Sequence, residues 1–227
     1  MTAIMQDIDA YVFDAYGTLF DFAAAAACYK DDLGDKEKPL SDLWRARQLE
    51  YSWLRSEMRE YVPFWQVTQD ALDYTMATLG IQDEKLRQIL LDEYWELRAF
   101  PEVPDMLRAL KAGGMKTAIL TNGSPEMVYR AVENAGIMDL LDETFSVDMV
   151  KVYKPHPDVY QMVPDMLDVD TTRVCFMSSN AWDAAAAANF GFRVVWINLY
   201  NQPLENIPGT QEHMLPTLEG LPALLGL

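Results

Sequence analysis

A chain of 227 residues, half of them hydrophobic and 23% charged, can bury one substantial core with a smaller accessory unit, which excludes the disordered and membrane-embedded classes. Its 35 acidic against 18 basic side chains give a net charge of −17, a field that opposes nucleic acid and anionic membrane and leaves any anionic ligand to be drawn in by local cations. Residues 1–7 carry no Lys or Arg before a short apolar run, and Cys28 and Cys175 lack ligand-like spacing, so the expectation is a cytoplasmic protein without export signal or disulfide framework.

In chain order, the apolar run 8–13 predicts a buried strand that delivers Asp14 to its C-terminal end. The alanine run 23–27 reads as helix, because alanine is the best helix former. From about 20 to 99 the periodicity is entirely helical. A helix over about 41–58, with Ser41 as N-cap, places Trp44, Tyr51, Leu54 and Met58 on a core stripe and Arg45, Leu49 and Ser52 on a neighbouring face. Phe64, Val67, Thr68, Ala71, Leu72, Thr75, Met76 and Leu79 then recur at three and four, echoed by Leu86, Ile89, Leu90 and Leu97. Further strands fall at 116–120, 144–147, 173–177 and 192–198, the last two separated by an alanine-rich helix at 181–190. This alternation predicts an α/β fold: a doubly wound, mostly parallel sheet built from residues 1–20 and 99–227, into which 21–98 insert as a helical cap domain.

A parallel sheet gathers its C-terminal strand ends along one crevice. Asp14, the turn Thr121-Asn122-Gly123-Ser124, Lys154-Pro155 and the turn Ser178-Ser179-Asn180-Ala181-Trp182-Asp183 therefore converge on one edge. Taken singly, Ser124 before Pro125 is a helix N-cap, Lys154 a solvated lysine, Asp183 a cap and Arg45 a surface arginine. Asp14 is different, because a carboxylate ending a buried strand is costly unless donors or cations meet it. A phosphate-transferring enzyme built on it would also need a second carboxylate two residues on for Mg²⁺, and Tyr16 stands there.

With these residues in view, the chain resembles the haloacid dehalogenase superfamily, and within it the L-2-haloacid dehalogenases. The matching text is Phe13-Asp14-Ala15-Tyr16-Gly17-Thr18-Leu19-Phe20, Leu43-Trp44-Arg45, residues 48–55, residues 119–125, Val152-Tyr153-Lys154-Pro155 and the Ser178–Asp183 turn. The resemblance implies the family's core sheet with a helical cap. It also implies hydrolytic dehalogenation of short (S)-2-haloalkanoic acids to (R)-2-hydroxy acids and halide, through an ester on Asp14 with inversion at C2. No metal or cofactor is implied, since Ser178 and Ser179 stand where the superfamily's phosphatases carry Mg²⁺-binding acids. The implied partners are the small anionic acid, halide and a second copy in a homodimer.

By the same resemblance Asp14 is the nucleophile, Thr18 is a further catalytic residue in its loop, Arg45 and Asn122 receive the halide, and Lys154 keeps Asp14 a carboxylate. Thr121 with the amides of Ala15 and Tyr16 binds the substrate carboxylate, and Asp183 with Ser178 and Asn180 directs the hydrolytic water. Tyr16, Leu49, Phe64 and Trp182 form the apolar wall, and Tyr160 supports Lys154. Thr121, Ala46 and Ala186 depart from residues common in relatives. Two alternatives stand beside this reading: a Mg²⁺-dependent phosphatase of the superfamily, and a non-catalytic small-anion-binding protein on the same fold.

Overall fold

The computed structural model describes residues 5–22 and 33–227; the helix expected at 23–27, and Cys28, lie outside the described residues. Six strands form one all-parallel sheet in the order β3-β2-β1-β4-β5-β6. They are β1 (Ala10–Phe13), β2 (Lys116–Thr121), β3 (Glu143–Ser146), β4 (Val174–Ser178), β5 (Arg193–Ile197) and β6 (His213–Leu215). β1 lies at the centre, paired with β2 on one side and β4 on the other. Its four residues are fully buried, as befits a strand covered on both faces. This is the doubly wound order, with its topological switch between β1 and β4, so the crevice for a ligand opens beside the C-terminal end of β1.

Between β1 and β2 come the cap helices α1 (Glu37–Met58), α2 (Phe64–Thr78) and α3 (Glu84–Trp95). The chain leaves and re-enters the sheet side by side: the Asp21 N–H donates to the Arg98 carbonyl at 3.0 Å and the Phe100 N–H to the Leu19 carbonyl at 2.9 Å. Of the stripe expected on α2, Phe64, Val67, Thr68, Ala71, Leu72, Thr75 and Met76 are buried, whereas Leu79, just past the helix end, is half-buried.

Helix α1 corrects two expectations. It begins at Glu37, so Ser41 lies inside it rather than capping it, and it buries Leu40, Trp44, Gln48 and Ser52. Tyr51 is half-buried, while Leu54 and Met58 are exposed. The reason is a polar network within the cap: the Gln48 amide donates to Thr68 Oγ1 at 3.0 Å and to the Tyr94 hydroxyl at 3.1 Å, while the Trp44 indole donates to the Thr68 carbonyl at 2.9 Å. Polar groups satisfied in this way can occupy the buried face at little net cost.

The sheet is flanked by α4 (Val103–Ala112), α5 (Pro125–Asn134), α6 (Pro157–Leu167), α7 (Ala181–Phe190) and α8 (Leu221–Leu225). Among the described residues no helix is long and apolar enough to cross a membrane.

Candidate active site

Strand β1 ends at Phe13, and the chain turns sharply so that Asp14 stands at the sheet edge, 6% exposed. Gly17 makes the turn possible: it adopts φ +91°, a conformation that strains other residues. The loop is strapped to the end of β4. The Ser179 N–H donates to Thr18 Oγ1 at 2.8 Å, and Ser179 Oγ donates to the Gly17 carbonyl at 2.6 Å. Ser179 is thus a positioning residue that its part in the Ser178–Asp183 turn did not reveal.

The two oxygens of Asp14 differ. Oδ2 accepts from Thr18 Oγ1 at 3.1 Å and from the Asn180 amide at 2.8 Å, whereas Oδ1 accepts, among the described residues, from Lys154 Nζ alone, at 3.1 Å. Lys154, 1% exposed, reaches on to Asp183 Oδ2 at 2.8 Å, and the other Asp183 oxygen accepts from the Tyr160 hydroxyl at 2.6 Å. Burial pulls the Lys154 ammonium down, but the carboxylates of Asp14 and Asp183 outweigh it and hold its pKa above the usual lysine value. Burial raises the Asp183 carboxyl, with Lys154 pulling against it. A carboxylate–ammonium–carboxylate chain therefore runs from the end of β1 to the start of α7.

Asn180 and Asn122 orient the remaining groups. Asn180 Oδ1 accepts from Arg45 at 3.2 Å while its amide holds Asp14, so one side chain ties Asp14 to the cap. Arg45 also lies over the Phe22 ring at 4.8 Å and has no carboxylate partner among the described residues. Asn122 Oδ1 accepts the Lys154 N–H at 2.9 Å, which leaves the two amide hydrogens of Asn122 as its donors. Thr121 Oγ1 accepts the Gly123 N–H at 3.0 Å and keeps its hydroxyl hydrogen to donate. The N–H groups of Ala15 and Tyr16 make no hydrogen bond to the described residues.

Asp14, Tyr16, Arg45, Phe64, Thr121, Asn122, Lys154, Asn180 and Trp182 enclose a cavity of about 10 Å³, room for roughly one water. Tyr16 is stacked on Tyr94 with 5.8 Å between centroids, and a Cβ at position 123 would stand 2.6 Å from its ring, so Gly123 is required for this wall. The Trp182 indole N–H is buried without a partner among the described residues.

Several expected residues stand elsewhere. Leu49 does not line the closed cavity, and neither do Ser178 and Asp183. Ser178 Oγ accepts the Asn180 N–H at 3.2 Å, which shapes the turn. Tyr160 bonds Asp183 rather than Lys154. Ser124 occupies the N-cap position of α5 but makes no cap bond there; its hydroxyl accepts the Trp65 N–H of α2 at 3.4 Å.

The sequence profile of the haloacid dehalogenase-like hydrolases matches residues 8–191. The chain is 48% identical to (S)-2-haloacid dehalogenase 1 of Pseudomonas sp. (strain CBS-3), over 97% of this chain and 98% of that one. A crystal structure of a dehalogenase superposes with a TM-score of 0.96 at 41% identity, covering 99% of this chain and 100% of that one. The L-2-haloacid dehalogenase of Xanthobacter autotrophicus, with chloropropionic acid covalently bound, superposes with a TM-score of 0.89 at 36% identity, over 96% of this chain and 98% of that one.

Proposed function

The chain belongs to the haloacid dehalogenase-like hydrolases, and from that premise we propose that it hydrolyses short (S)-2-haloalkanoic acids to (R)-2-hydroxy acids and halide through an ester on Asp14, with inversion at C2. The observation that carries this reading is the surroundings of Asp14: an ammonium on one oxygen, two neutral donors on the other, and no second carboxylate beside it where Tyr16, Ser178 and Ser179 stand. Mg²⁺ wants several oxygen ligands in octahedral order, and this donor set does not fit it.

Oδ1, with one donor, keeps a lone pair for backside attack on the α-carbon; the carbon–oxygen bond forms as the carbon–halogen bond breaks and the halide leaves with its electrons. Two anions 4 Å apart repel by about 4 kcal/mol at an effective dielectric of 20, and Lys154 and Arg45 offset that cost. The guanidinium of Arg45 and the amide of Asn122 face the departing halide, where charge develops only in the transition state. Thr121 Oγ1 and the N–H groups of Ala15 and Tyr16 receive the substrate carboxylate.

In the ester, Oδ2 becomes the carbonyl oxygen, and Thr18 and Asn180 polarise it for attack by water at Cγ. Esterification removes the Asp14 charge and releases Lys154 from Oδ1; Asp183 takes one proton of the attacking water, the departing alkoxide takes the other from the newly formed Asp14 carboxyl, which regains its carboxylate, and the proton on Asp183 is then lost to solvent. A cavity of about 10 Å³ is far smaller than a haloacid, so its walls must shift to admit the substrate.

Incubation with racemic 2-chloropropionate tests the assignment. Half of the chloride is expected to be released, with (R)-lactate as product and the (R)-substrate left over, at a rate unchanged by EDTA. Phosphate-ester hydrolysis that requires Mg²⁺, with no chloride released, would contradict it. Binding of 2-chloropropionate without turnover would instead favour a small-anion-binding protein.

A further inference from the structure

Lys154 is fixed from two sides. On the sheet side its N–H rests on Asn122 Oδ1 at 2.9 Å. On the cap side the anchor is its neighbour, Tyr153, which is 1% exposed and does not line the catalytic cavity. The Tyr153 N–H donates to Ser56 Oγ near the end of α1 at 3.0 Å, and Ser56 in turn donates to the Ser52 carbonyl at 3.0 Å. The Tyr153 hydroxyl donates to the Val62 carbonyl just before α2. Its ring meets Tyr61 at 5.1 Å and, edge-on, Phe64 at 6.0 Å. The cap thus grips the residue beside the catalytic lysine by backbone, hydroxyl and ring together.

We propose that Tyr153 is a positioning residue through which the helical cap helps set the Lys154 ammonium against Asp14. This rests on the dehalogenase reading of the same site. On the sheet side Lys154 has the Asn122 anchor and its ammonium bonds to Asp14 and Asp183, so what the cap adds is the hold of Ser56, Val62 and the aromatic rings on the residue before it. An ammonium held within 3.1 Å of Oδ1 has little tolerance, since a misplacement of about 1 Å in such a group can cost on the order of a hundredfold in rate. Tyr61 offers a contrast: its hydroxyl donates to Asp148 Oδ1 at 2.6 Å, a cap-to-sheet bond six residues away from Lys154.

The test is Tyr153→Phe, which removes the hydroxyl and keeps the ring, assayed by single-turnover chloride release and by steady-state kinetics on 2-chloropropionate. Because the cavity wall is untouched, KM is expected to stay within about twofold while the alkylation rate falls about tenfold, the loss of one buried hydrogen bond acting through Lys154. Tyr61→Phe, which loosens the same seam, is expected to leave alkylation within about twofold. Should Tyr153→Phe not fold, Ser56→Ala removes the acceptor of the Tyr153 N–H and is expected to give the same split. Unchanged alkylation in Tyr153→Phe, a loss confined to KM, or an equal loss in Tyr61→Phe overturns the inference. A wild-type protein that releases no halide overturns the assigned reaction itself.

Discussion

Asp14→Asn is expected to lower halide release from 2-chloropropionate by about 10⁴-fold or more, the scale on which loss of a covalent nucleophile is felt. An amide is isosteric with the carboxylate and can still accept from Thr18 and Asn180, so the loop strapped by Ser179 keeps its shape. What disappears is the anionic oxygen facing Lys154. The amide oxygen is a far weaker nucleophile, and the guanidinium of Arg45 and the amide of Asn122 have no leaving charge to stabilise unless attack occurs. Chloride release with circular dichroism checks the prediction: a folded, inactive variant supports it, and a folded variant of near wild-type rate refutes it.

Lys154→Met is expected to damage both activity and stability. The residue is the only cation among the described residues that touches Asp14 and Asp183, both buried. Removing one partner of a buried ion pair typically costs about 3–5 kcal/mol, because the remaining charge is left uncompensated. Here two carboxylates are left. The structure relieves this by keeping a proton on one of them, and any proton on Asp14 removes the nucleophile, so activity falls by about 10³-fold or more. The sign with pH follows. Asp183 already has its pKa raised by burial, and without Lys154 it rises further above the unfolded value. The stability of such a group is present below the unfolded carboxylate pKa and is lost as pH rises through the folded one. The deficit of the variant in denaturant titrations is therefore smallest in acid and grows towards neutrality; a deficit independent of pH would contradict the argument.

Much of this arrangement is legible in the letters. The central strand, the position of Asp14 and most of the buried stripe of α2 follow from hydrophobic period, because there burial largely follows apolarity, and the bounds of α7 follow from the helix propensity of its alanines. Where they separate, the reading fails. Gln48 and Ser52 are buried polar residues whose partners come from other elements, so a periodicity search assigns Tyr51, Leu54 and Met58 to the core instead. Edge strand β6 has three residues, each partly or fully exposed, and follows β5 without an intervening helix, so it shows no pattern to find. Ser124 has the local signature of an N-cap, yet its hydroxyl serves a helix 59 residues earlier in the chain. The motifs singled out Lys154, whereas the grip of the cap on Tyr153 arises from contacts 91 and 97 residues apart and leaves no local signal.

The central claim, that an oxygen of Asp14 bonds to the substrate carbon, is tested most directly by turnover in ¹⁸O-water followed by peptide mass spectrometry. In a single turnover the hydroxy acid is expected to carry ordinary oxygen, taken from Asp14, and over repeated turnovers the label is expected to accumulate in the peptide containing Asp14. Label in the product from the first turnover, with none entering Asp14, would mean that water attacks the substrate directly and would contradict the account.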